Sequence, residues 1–110
     1  MVPGKKLFAA TQLGTSATAL YTVPDGKKCH ILRLILCNTD DTAEHTATVY
    51  LVPSGGTAGA DNQLCKVSIP ADDYAVLDPA QVLDAGDSIQ ALADAASVVT
   101  AHGSGIEGDA

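Results

Sequence analysis

The stretch Lys28 to Asn38, Lys-Cys-His-Ile-Leu-Arg-Leu-Ile-Leu-Cys-Asn, is the longest apolar run in the chain, contains neither Gly nor Pro, and is too short to cross a bilayer as a helix. It reads as a central β-strand. Alternation of side chains along a strand puts Cys29, Ile31, Arg33, Ile35 and Cys37 on one face and Leu32, Leu34 and Leu36 on the other. Both faces are therefore apolar. A small antiparallel fold ordinarily fills one face with its own core and leaves the other wet. The second face, with Arg33 in its middle, predicts either a partner subunit or cover supplied by the N-terminal segment.

Turn signals partition the rest of the chain. Pro24-Asp25-Gly26-Lys27 pairs a residue of fixed φ with one that accepts positive φ, and it predicts a hairpin return from a strand over residues 18–23 into the central one. Residues 46–52 alternate Thr, Ala, Thr, Val, Tyr, Leu, Val, and hairpin logic pairs them with the central strand. A glycine-rich loop follows over residues 53–62, then strands over 64–69, 74–77, 82–83, 88–93 and 97–101, the last continuing past Gly103 towards Ile106. The window 89–96 also fits a short helix. Residues 1–14 form either an arm or a first strand, and residues 15–110 a single domain. Seven to eight short strands bounded by Gly, Pro, Asp or Asn predict an all-β antiparallel sandwich, of jelly-roll or immunoglobulin-like form.

Composition narrows the partners. A formal net charge of -7, from 13 acidic and 6 basic side chains, opposes nucleic acid, because phosphate contacts need Lys and Arg. Aromatic residues make up only 4% of the chain, few for a sugar- or base-stacking surface. Lys5, Lys6, Lys27 and Lys28 gather near the start, whereas the residues after Asn38 carry twelve of the acids and only Lys66. Lys5 and Lys6, with Phe8, are thus candidates for an arm that docks onto an acidic scaffold. Neither a signal peptide nor a membrane span is discernible, which predicts a protein made in a cytoplasm with no membrane partner.

Three cysteines do not describe a secreted disulfide framework. Cys29 and Cys37 lie about 26 Å apart on an extended strand and cannot bridge each other. Buried free thiols are one reading, and a disulfide between subunits through Cys29, Cys37 or Cys65 is the other. His30, His45 and His102 are scattered, with no His-x-His or Cys-x-x-Cys pair to hold a metal, and no nucleophile elbow or phosphate loop is present. Adjacent Cys29 and His30 point to opposite faces of a strand and do not form a nucleophile and base pair. The expectation is a protein with no catalytic residues, no cofactor and no metal.

The strings Ala19-Leu-Tyr-Thr-Val-Pro-Asp-Gly-Lys, Leu36-Cys-Asn-Thr, Val49-Tyr-Leu-Val-Pro-Ser-Gly-Gly and Val82-Leu-Asp-Ala-Gly-Asp-Ser-Ile-Gln-Ala resemble a group of small virion proteins of tailed bacteriophages, over residues 15–106. The resemblance implies an all-β accessory protein of the particle that is made in the host cytoplasm and carries no catalytic residues. Its role would be to decorate the capsid or to cap a neck, tail or fibre attachment point. Its expected partners are itself, as a symmetric oligomer and specifically a trimer, and capsid or tail proteins. Ile31, Arg33 and Ile35 are the candidate subunit contact. Two alternatives stay open: a receptor- or glycan-binding module using Tyr50, Tyr74 and residues 54–62, and a small jelly-roll enzyme.

Overall fold

The computed structural model describes residues 5–109, and among them there are nine strands and no helix. In chain order these are β1 (Lys5–Gln12), β2 (Thr18–Thr22), β3 (Lys27–Asn38), β4 (His45–Val52), β5 (Gln63–Ile69), β6 (Tyr74–Leu77), β7 (Gln81–Leu83), β8 (Ser88–Ala93) and β9 (Val99–Asp109). They form two antiparallel sheets packed as a sandwich. The front sheet has the order β1-β9-β3-β6, with β7 also pairing with β3, and the back sheet has the order β2-β8-β4-β5. Residues 89–93 are strand, so the helical option is not taken up. The N-terminal segment is a first strand from Lys5 onward, while residues 1–4 of the expected arm lie outside the described residues.

The core lies between the sheets. Ile31, Leu36, Val49, Ile69, Ile89 and Val99 are fully buried, and Ala47, Ala91, Ala93 and Ala101 interleave with them. Large and small inward side chains let the sheets approach, in keeping with a shortest molecular dimension of 18 Å. Side-chain bonds also tie one sheet to the other. The Tyr21 hydroxyl on β2 donates to Glu107 on β9 at 2.5 Å, and the Lys5 ammonium donates to the same carboxylate at 3.2 Å. Burial first, and then this bond, raises the Tyr21 pKa, while the Tyr21 bond lowers that of Glu107.

Two expected hairpins are corners instead. Gly26 takes the positive φ of 76° that the turn predicts, yet β2 belongs to the back sheet and β3 to the front one. Likewise β4 pairs with β5 and β8, not with β3. Asn38 gives the physical reason for the second corner. Fully buried at the end of β3, its amide donates to the carbonyls of Ala43, Ile69 and Pro70 at 3.0, 2.9 and 3.2 Å, and its carbonyl accepts from the Asp40 amide at 3.0 Å. One side chain thus satisfies backbone groups of two crossings between the sheets, β3 to β4 and β5 to β6, which a tight hairpin would not need.

A β-bulge divides β3. Ile31 pairs with Gly105 and Arg33 with Ser104, so Leu32 is the extra residue and the alternation reverses there. Cys29 and Ile31 point into the core before the bulge, Leu34, Leu36 and Asn38 after it, and Arg33, Ile35 and Cys37 are displaced outward. The expectation that Ile31 shares a face with Arg33 and Ile35 is therefore corrected. The partner strand accommodates the bulge through glycine: a Cβ at Gly105 would run into the His30 carbonyl and come within 3.2 Å of the Ile31 Cα. On the opposite side, β6 pairs with residues 34–37 and β7 with residues 29–31, and the chain between them carries Ala80 at a φ of 51°.

Gly105→Ala should lower the stability to urea by about 1–3 kcal/mol, because backbone atoms must move to admit the methyl group. Gly108→Ala on the same strand, where a Cβ meets nothing within 4 Å, should stay within about 0.5 kcal/mol of the parent.

Candidate interaction face

The bulge determines what the outer face of the front sheet displays. Beyond Leu32, its rows across the strands read Lys6–Ser104–Arg33, then His102–Ile35–Val76, then Gln12–Thr100–Cys37–Tyr74. Before Leu32, His30 lies between Val82 and Ile106. Among the described residues every exposed large hydrophobic side chain belongs to this sheet: Leu32 at 40%, Tyr74 at 62%, Val76 at 43%, Val82 at 57% and Ile106 at 37%. The outer surface of the back sheet carries Thr46, Lys66, Ser68 and Gln90, together with the half-buried Tyr50 and Leu92.

The face is open and shallow. Ile35, Cys37, Tyr74 and His102 line a trough of about 460 Å³. A second trough of about 290 Å³ shares Ile35 and His102 and extends to Lys6, Arg33 and Ser104. Arg33 Nε donates to Asp78 Oδ1 at 2.7 Å, which fixes a charge pair at the margin where β6 ends. Such a surface can bury apolar area against a flat partner, but it offers no enclosed volume for a small ligand.

The sequence-derived sites fall in different places. Arg33 and Ile35 are on the face and Ile31 is in the core. Of the docking-arm candidates, Phe8 is largely buried, with its ring in the space where a Cβ at Gly103 would lie, and it lines the outer trough beside Lys6. Lys5 is paired with Glu107, whereas Lys6 reaches the outer trough. Tyr50 is on the back sheet and Tyr74 on the front one, so the two cannot line one glycan site. The loop at residues 53–62 is tied to itself: Asn62 accepts from the Gly59 amide at 3.0 Å and donates to the Thr57 carbonyl at 2.9 Å.

Cys29 is buried between the sheets, where it cannot meet a cysteine of another copy. Cys65 is half-buried and pairs in register with the inward Val49. Burial raises the pKa of both thiols. Cys37 alone of the three opens onto the outer face.

A cluster of carboxylates surrounds His45, one of the three histidines that look scattered in the sequence. Its Nδ1 lies 2.7 Å from Asp94 Oδ1 and its Nε2 2.8 Å from Asp40 Oδ2. The Asp40 bond, and then the Asp94 bond, raise the His45 pKa, and the His45 bond pulls that of Asp40 far down. Partial burial pushes Asp94 upward, yet its bond to His45 leaves it net lowered. Both ring nitrogens are occupied by carboxylates, so this histidine fastens the 40–45 loop to the end of β8 and has no nitrogen left for substrate. Positions 40, 45 and 94 lie too far apart in the sequence for spacing to reveal the cluster.

No family model matches the chain, and no curated protein does. Among solved structures, the fold is similar to that of a chain from Bacillus endospore appendages, described as a novel family of disulfide-linked pili. The TM-score is 0.56 at 15% identity, covering 96% of this chain and 86% of that one. At this identity the likeness concerns the fold.

Two predictions follow from these side chains. The raised His45 pKa contributes stability that is complete below 6.5 and is lost as pH rises through the raised value, and the lowered Asp40 pKa contributes stability above 3.8 that is lost on acidification. His45→Gln should therefore lower the melting temperature most at mildly acidic pH, and its curve should converge on the parent's as pH rises. Iodoacetamide under native conditions should alkylate Cys37 first and leave Cys29 unmodified until the protein is unfolded, as read by peptide mass.

Proposed function

We propose that the chain is a non-catalytic structural subunit, a virion accessory protein of the capsid-decorating type, which works by fitting the outer face of its front sheet to neighbours. The carrying observation is that the exposed large hydrophobic side chains among the described residues all belong to one sheet of the sandwich. Scattered single apolar residues are ordinary on a surface, but several gathered on one sheet are what a protein contact uses. The occupied ring nitrogens of His45 and the open shape of the troughs favour contact over chemistry.

The particle itself is suggested by the phage-like strings at residues 19–27, 36–39, 49–56 and 82–91. A decorating subunit needs no reaction, because binding only the assembled lattice stabilises that lattice by mass action. The fold shared with a pilus chain favours a second reading, self-assembly into a filament.

Immunogold electron microscopy with antibody to the purified chain, applied to lysates of cells expressing it from its native locus, separates the two. Regular labelling of phage heads is the expected result. Labelling confined to necks or fibres would move the protein to an attachment point, and labelling along filaments would replace the virion reading with the pilus-like one.

A further inference from the structure

We infer that the front sheet's outer face binds a second copy of the same chain, face to face, about a two-fold axis that runs parallel to the strands between β9 and β3. The inference rests on the contact reading above and names its partner. It starts from the row that crosses the sheet beside the bulge. Lys6 pairs with Ser104, Ser104 with Arg33, and Arg33 bonds to Asp78 beyond the far side of β3. The row thus begins with a cation unpaired among the described residues on one edge and ends with the Arg33–Asp78 ion pair on the other.

The strand order supplies the geometry. With β1, β9, β3 and β6 in sequence, a two-fold axis between the middle strands lays β1 over β6 of the copy and β9 over β3. Lys6 then faces Asp78 of the copy, and the same contact recurs on the other side of the axis. In the next row Ile35 meets His102 of the copy, and Val76 lies over β1 of the copy close to Ala10. Lys6 makes no ion pair among the described residues, so Asp78 of the copy gives it one. A rotated copy sets each Lys6 against an Asp78 already fixed in place by its own Arg33, at both edges of the row.

Area is also adequate. The 12 residues of β3 at ~3.3 Å each, across four strand positions at ~4.8 Å, give a face of at most roughly 760 Å², near the ~800 Å² per partner of a standard stable interface. The axis is two-fold, so this arrangement replaces the trimer expected from the sequence.

Sedimentation equilibrium from micromolar to millimolar concentration should give a species of twice the 11.1 kDa chain mass, unchanged by reductant. Ile35→Asp should abolish it while leaving the sheet-rich circular dichroism spectrum intact. Lys6→Asp and Asp78→Lys should each weaken it by roughly tenfold, and the double reversal should recover most of the loss. Should a variant fail to fold, the parent chain supplies an independent readout. Within one copy Lys6 and Asp78 are separated by three strand steps, about 14 Å, so a zero-length carbodiimide cannot join them. A Lys6–Asp78 cross-link in a mixture of isotope-labelled and unlabelled chains, carrying one label from each, would support the pairing. A monomer at all concentrations, a trimeric mass, a dimer indifferent to Ile35→Asp, or no mixed-label cross-link would each overturn it. A monomer that still labels particles through this face would end the pairing and leave the contact reading standing, whereas loss of particle binding as well would remove both.

Discussion

The single extra residue at Leu32 is the constraint on which the rest of this structure depends. Without it, β3 would send Cys29, Ile31, Arg33, Ile35 and Cys37 to one side throughout, and either the core would receive Arg33 or the surface would receive Ile31. With it, both halves of the strand face the core with aliphatic side chains, and Arg33 comes out beside Asp78. Three features of the neighbouring backbone accompany that choice. β9 carries Gly105 where the bulge presses against it, β6 and β7 are separate strands because their common partner changes phase between them, and Ala80 takes a left-handed conformation in the joining residues. An unpaired residue in the longest strand is thus matched on both sides.

Strand positions and turns were legible in the sequence because their signals are local. Gly26 and Gly86 take the positive φ that their turns require, and the strand ends at Pro53, Pro70 and Asp78 fall where chain-breaking residues stand. Sheet membership was not legible in the same way. A Pro-Asp-Gly turn reverses the chain equally well within one sheet or at a corner between two, and only contacts remote in sequence decide between them. Asn38 is one such contact: as a residue type it reads as loop, but its amide meets carbonyls up to 32 positions away. The bulge was hidden for the same reason. Leu32 is as hydrophobic as its neighbours, and the glycine that reveals it lies on β9.

Charge shows a related discrepancy between order in the chain and order in space. Along the sequence the basic residues lead and the acids follow, which suggested a basic end free to dock. In the fold the ends meet: Lys5 pairs with Glu107, Lys27 with Asp109, and Lys28 and Arg33 with Asp84 and Asp78. These exposed pairs contribute little stability individually. Their effect is on distribution: the four pairs cancel, Lys6 on the front sheet has no ion pair among the described residues, and the other nine acids with Lys66 carry a net -8, which with Lys6 gives the -7 of the chain.

That distribution decides which side of the molecule can approach another copy. Two bodies of like net charge repel, and the repulsion is felt most between their unneutralised surfaces, within the ~8 Å over which physiological salt transmits it. The loops that join the two sheets, with Asp40, Asp41 and Glu44 between β3 and β4 and Asp72 and Asp73 between β5 and β6, make this end of the sandwich costly to bring together. The front sheet combines neutralised charge with the exposed hydrophobic side chains, so the electrostatic penalty is smallest where the apolar gain is largest. Hydrophobic and electrostatic preferences therefore select the same face, and the bulge that sends Ile31 inward and Arg33 outward is what lets one strand serve both.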